Sequence, residues 1–166
     1  GGLAGEFGHT KVVAAGGRLC GCGECGCLEA YVGGHHIARR IQELAVGDRA
    51  KAILRAAGGD PTRISGSALE MAADEGDPEA QELREEIARM LGVQIANVVT
   101  LLNPARLILG GGVLSGMPGL KSRTIHWILQ TAGRPQLAQL TILDAALGDD
   151  AGVIGAGLLA LQPPAA

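Results

Sequence analysis

Four cysteines occupy positions 20, 22, 25 and 27, in the stretch CGCGECGCLE, and they are all the cysteines of the chain. No other feature restricts the fold so strongly, because a segment this dense in thiols must pair them, wrap them around an ion or bury them as reduced thiols, and this loop is too Gly-rich to bury four. Two disulfides fit poorly, since a cysteine pair separated by one residue closes a strained ring. Metal ligation suits the spacing better. The glycines at 21, 23 and 26 let the backbone turn tightly around an ion. A tetrahedral zinc site could use all four thiols, but four ligands packed so closely leave little freedom for the geometry. His9, with ten residues between it and Cys20, is a donor from a second segment. One histidine with three cysteines satisfies tetrahedral coordination more easily.

Composition sets the frame for that loop. The 166 residues allow one domain with a proper core. Phe7, Tyr31 and Trp127 are the only aromatic residues, so packing must come from Ala, Leu, Ile and Val. That scarcity argues against base-stacking surfaces for single-stranded nucleic acid. A formal net charge of −3 removes the general electrostatic motive for binding a phosphate backbone. No run approaches the roughly 18 apolar residues of a membrane span, and the first residues lack a signal-peptide pattern. A soluble, cytoplasmic chain is expected, and its thiols would be kept reduced there.

Along the chain, residues 1–34 are Gly-rich and predict turns and loops around short extended pieces such as 11–14. Helical periodicity begins near His36, with Ile37, Ile41 and Leu44, and Gly47 supplies a stop. A second helix is predicted over 49–57, and a third over 68–73 capped by Ser65 or Ser67. The longest signal starts with Asp77 as N-cap and Pro78 at the first helical position. Leu83, Ile87, Leu91, Ile95, Val98 and Leu102 then draw one apolar stripe to residue 102. A strand over 106–109 feeds Gly110, Gly111 and Gly112. Further elements are a helix over 118–130, a strand over 140–146 and a closing helix over 150–161. Helix alternating with strand predicts an α/β layer structure with a parallel sheet. Glu82, Arg84, Glu85, Glu86 and Arg89 read as a solvated charged face. His35 and His36 read as solvated or capping residues, and His126 with Trp127 as part of a surface or interface helix.

The joint pattern Gly5-Glu6-Phe7-Gly8-His9, then Cys20-x-Cys22-Gly23-x-x-Gly26-Cys27-x-Glu29, resembles the signature of the ROK family of sugar kinases and sugar-responsive repressors. The resemblance continues through Asn103-Pro104, the strand after it, Gly110-Gly111-Gly112 and Gly152-Val153-Ile154-Gly155-Ala156. It implies the C-terminal lobe of an actin-like, ribonuclease H-like sugar kinase fold with a Gly-rich zinc loop. Residues 1–34 would form the zinc and sugar-binding region, 35–162 a helix and strand core, and 163–166 a tail. By the same resemblance His9, Cys20, Cys22 and Cys27 are the ligands of a structural zinc, and Cys25 stands at a free position. Glu6, His9 and Glu29 would contact the sugar, and Gly110, Gly111 and Gly112 the nucleotide of ATP with Mg.

Family kinases also carry a catalytic Asp and an Asp-x-Gly-x-Thr-like phosphate loop in the N-terminal half. This chain starts five residues before Glu6 and has none of these parts. The resemblance therefore implies a glucokinase-like hexose kinase whose base lies in a missing N-terminal lobe, with the present chain inactive alone. The alternative it implies is the sugar-sensing, dimerising domain of a ROK-type repressor, the one case that would involve nucleic acid. A homodimer acting on a small-molecule sugar is the expected assembly.

Overall fold

Asp77 accepts the Ala80 amide at 2.8 Å, and Pro78 opens the longest helix of the molecule, α5 (Pro78–Leu102). Its last turn closes on Asn103, whose left-handed backbone (φ 45) lets its amide reach the Val99 carbonyl. The computed structural model describes residues 4–161, the side chain of Asp149 excepted. The tail expected at 163–166 lies outside the described residues.

Upstream of α5 stand α1 (Glu29–Val32), α2 (Gly34–Val46), α3 (Lys51–Ala56) and α4 (Gly66–Asp74). Ser65 caps α4 by accepting the Ala68 amide at 3.3 Å. Downstream follow β1 (Arg106–Leu109), α6 (Gly112–Gly116), α7 (Pro118–Thr131), α8 (Arg134–Leu137), β2 (Thr141–Asp144) and α9 (Ala151–Ala160). The expected helices and strands are therefore present with small changes at their ends. The short helices α1 and α6 lie where a loop or turn was predicted and α8 where no element was, since four or five residues carry no periodic signal. The extended piece at 11–14 forms no strand; Lys11 makes a single antiparallel bridge to Cys27.

β1 and β2 pair in parallel with Arg106 opposite Thr141 and Leu109 opposite Asp144. The crossover between them passes through α6, α7 and α8, as parallel strands require. The core lies between α5 and the helices around it: Ile37 and Ile41 of α2, Ile53, Leu69, Ile87, Leu120 and Ile128 are all essentially inaccessible. α7 crosses α5 where Gly92 meets the Trp127 and Thr124 positions. α9 contributes no buried side chain, so the core expected through residue 162 does not include it. Ile108 of β1 and Leu143 of β2 are also exposed.

Two sequence expectations need correction. The apolar stripe of α5 does not stay on one line to Leu102, which is exposed; Ala96 and Val99 are the buried residues there. The stripe is built mostly of four-residue steps, longer than the 3.6-residue turn, so it rotates around the helix toward its end. The charged face is also not uniformly solvated. Arg84 is buried, with its guanidinium 2.6 Å from Asp74 and 3.5 Å from the buried Glu70. Glu70 in turn accepts the Gly119 amide in the first turn of α7. A buried guanidinium needs such partners, because leaving the charge unpaired costs several kcal/mol. Glu86 pairs with Arg40 at 2.5 Å, and Glu85 accepts Trp127 Nε1 at 2.7 Å. Glu82 and Arg89 are exposed as expected.

Candidate functional site

The Gly-rich segment is held by its own backbone before any side chain acts. The Val12 and Val13 amides donate to the Gly26 carbonyl at 2.8 and 3.2 Å, Gly26 N donates to Arg18 O at 2.9 Å, and Cys20 N donates to Glu24 O at 2.8 Å. Gly26 has a φ of 79, and a Cβ there would fall on the Val13 carbonyl oxygen. Two passes of chain thus cross at a distance that admits no side chain. Tyr31, buried at the end of α1, accepts the Arg18 amide on its hydroxyl at 2.9 Å. Arg18 is itself paired with Glu43 of α2, and this pairing lowers the Glu43 carboxyl below its ordinary pKa. The loop is therefore tied to two helices.

These crossings bring His9, Cys20, Cys22 and Cys27 together, with one donor atom of each lying within 4.8 Å of all the others. Cys20 Sγ is 3.7 Å from His9 Nδ1, and Cys22 Sγ is 3.7 Å from Cys27 Sγ. Bonds of about 2.3 Å to sulfur and about 2.0 Å to nitrogen give tetrahedral donor–donor edges of about 3.5–3.8 Å. The donor set fits a zinc ion in both chemistry and spacing. The sulfurs are too far apart for a disulfide, which needs about 2.05 Å. Burial pushes the Cys27 thiol up, whereas the Glu24 amide holds the exposed Cys22 below its ordinary value. Cys25 is exposed and stands outside the four.

Two carboxylates also approach His9, one at each ring nitrogen. Phe7–His9 form one turn of 3-10 helix, which sets Glu6 and His9 three residues apart on one side. His9 Nε2 is 3.6 Å from Glu6 and Nδ1 is 3.4 Å from Glu29. Glu29 opens α1 and lies against Gly8, where a Cβ would meet its side chain at 3.3 Å. All three side chains keep part of their surface open, 64% for Glu6, 35% for His9 and 47% for Glu29. Two carboxylates and an imidazole held in this way can accept and donate hydrogen bonds to a polyol. His35 and His36 sit in the first turn of α2, and burial lowers the His36 pKa.

Gly110, Gly111 and Gly112 stand between β1 and α6. Gly111 has a φ of 98, and Gly110 passes so close to Ala145, just after β2, that a Cβ would lie 2.7 Å from its methyl. An open cleft of about 410 Å³ is lined by Phe7, Leu91, Ile95 and the run from Leu107 to Leu114. The neighbour of Glu6 and the glycine run thus share one cleft. On the far side of the glycines, Lys121 Nζ contacts both oxygens of Asp144 at 3.1 Å, beside a cleft of about 270 Å³. Lys121 and Asp144 escaped sequence reasoning because they lie on α7 and β2 and meet only through the crossover.

The sequence profile described as the ROK family matches residues 1–163. Over 98% of its length the chain is 33% identical to a glucokinase of Streptomyces coelicolor, of which it spans 52%. The chain therefore spans about half the length of the curated relatives it matches. Among solved structures, a ROK family glucokinase from Streptomyces griseus in complex with glucose and AMPPNP superposes with a TM-score of 0.72 at 34% identity, covering 95% of this chain and 51% of that one. A ROK family transcriptional regulator, a homologue of the E. coli MLC protein, superposes at 0.66 and 26% identity, covering 85% of this chain and 34% of that one. The architecture is that of the actin-like ATPase fold of ROK glucokinases. Matched from residue 1 to residue 163 by one profile, and by relatives of this kind over nearly its whole length, the chain belongs to the ROK family.

Proposed function

We propose that this chain is the sugar-recognising, metal-bearing half of an ATP-dependent hexose kinase of the glucokinase type, phosphorylating a sugar 6-hydroxyl. One observation carries the reading: His9 turns Nδ1 toward Cys20 and Nε2 toward Glu6, with Glu29 on the Nδ1 side of the ring. An imidazole with Nδ1 on a metal presents Nε2–H as a donor in a fixed direction. Glu6 and Glu29 accept hydrogen bonds from sugar hydroxyls, and His9 donates one. Zinc, when bound by His9, Cys20, Cys22 and Cys27, supplies a structural tether and a fixed tautomer. Glucose is the substrate that the Streptomyces relatives' names support.

Gly110, Gly111 and Gly112 are the nucleotide side, where the bare backbone admits close approach of ATP with Mg. α6 has only five residues, so the glycine backbone rather than a helix terminus does this. The cleft shared with Phe7 supports placing sugar and nucleotide along one path. The proton acceptor for the sugar hydroxyl would come from the remaining half-length that the relatives possess, in a cytoplasmic homodimer.

The test is sugar binding by the complete protein, measured by calorimetry. Glu29→Ala and His9→Ala should each lose most of the affinity, and unchanged affinity in both sinks the assignment. The second reading, a sugar-sensing domain of a repressor, is supported by the likeness to the regulator. Phosphorylation of glucose by the complete protein with ATP decides between the two.

A further inference from the structure

Lys11 and Cys27 are directly opposed in a single antiparallel bridge, with Leu28 N donating to Thr10 O at 2.9 Å beside it. Opposed residues of such a pair project their side chains to the same face. The Lys11 chain accordingly runs along the metal loop. Its ammonium donates to the Cys25 carbonyl at 2.8 Å and to Cys27 Sγ at 3.5 Å, with a Glu24 oxygen 3.6 Å away. Arg18, the other cation of the loop sequence, is already taken by Glu43.

Three thiolates and one neutral imidazole around a divalent ion leave about one net negative charge at the site. Cys27 is almost completely buried, so water does little to relieve the charge on its sulfur. A cation donating to that sulfur relieves it directly, and a donor to a ligating atom also fixes the ligand's direction. From this arrangement, and resting on the reading that His9, Cys20, Cys22 and Cys27 bind zinc, we propose that Lys11 is a positioning residue of the metal centre. It neutralises the thiolate cluster through Cys27 and clamps the 25–27 turn through the Cys25 carbonyl.

The experiment is competition for zinc between the full chain and a chromophoric chelator, at one pH and one ionic strength. Wild type must first bind one zinc per chain; if it binds none, the metal reading fails, independently of Lys11. Lys11→Met should weaken zinc binding about 10- to 100-fold, as loss of partners to metal ligands does elsewhere. Lys11→Gln keeps a donor for the Cys25 carbonyl but no charge, so it should lose most of the same affinity. Lys11→Arg should restore it. Lys51→Met, on a lysine paired with Asp48 and outside the cluster, is the control.

A purely structural role for the lysine would leave the electronic state of the sulfurs alone. With cobalt in place of zinc, the thiolate-to-cobalt charge-transfer band should move to lower energy in Lys11→Met and Lys11→Gln and stay in place in Lys11→Arg. Wild-type zinc affinity and an unmoved band in Lys11→Gln overturn the proposal, even if Lys11→Met does not fold.

Discussion

Gly26 shows how much one missing side chain decides. Its left-handed φ of 79 and its contact with the Val13 carbonyl leave no space for a methyl group, and the left-handed backbone alone costs an L residue about 1–2 kcal/mol. Gly26→Ala should therefore fail to retain zinc while the helical core stays folded, as checked by metal content per chain and far-ultraviolet circular dichroism. Full zinc retention would contradict the crossing. Glu43 makes a pH prediction. Its pairing with Arg18 depresses its folded pKa, so the stabilisation is present above the unfolded value of about 4.3. It is lost as pH falls through the lower folded value. The stability gap between wild type and Glu43→Gln should be present at pH 7 and close in acid, measured by urea unfolding at each pH. A gap independent of pH would sink this account of the tether.

Among elements, the α5–α7 crossing governs the core. Gly92 lies in mid-helix, where glycine weakens a helix by about 1 kcal/mol relative to alanine. Here a Cβ would lie 2.5 Å from Trp127 Cβ and 2.8 Å from the Thr124 carbonyl. Overpacking of this kind costs about 1–3 kcal/mol, so it should override the propensity. Gly92→Ala is expected to lower stability by on the order of 1 kcal/mol or more in chemical denaturation; a gain would show that the helices can separate freely. At the other end of α5, Asp77→Ala removes the cap on the Ala80 amide and should cost about 1 kcal/mol.

For the whole molecule, the residues around Cys20 and Cys27 and those of the helical core form two separate buried clusters. Withdrawing metal from the site should speed amide exchange over residues 9–29 and leave α5 and α7 protected; uniform acceleration would mean that the loop and core unfold together. α9 stands apart in a different way. Val153, Leu158, Leu159 and Leu161 are exposed, so Leu158→Lys and Leu159→Lys should each change stability by less than about 0.5 kcal/mol in this chain. A larger loss would show that α9 is covered.

Local features were legible in the residues because their physics is local. Asp77-Pro78 and Asn103 mark the ends of α5 through caps that involve neighbours within four positions, and the four donors at 9, 20, 22 and 27 are spaced for one ion by tight glycine turns. Periodicity likewise marks α2, α4 and α7. Arg84 could not be read as buried from its own helix, because its partners Glu70 and Asp74 come from α4 and its burial exists only once α4, α5 and α7 pack. The same holds for Lys11 on Cys27 and for Lys121 with Asp144. Sequence alone determined the caps, the periodic elements and the reserve of metal-binding side chains. Only the tertiary structure decided which nitrogen of the imidazole each carboxylate approaches, which charges are buried and which apolar helix stays uncovered, since those depend on contacts between segments far apart in the chain.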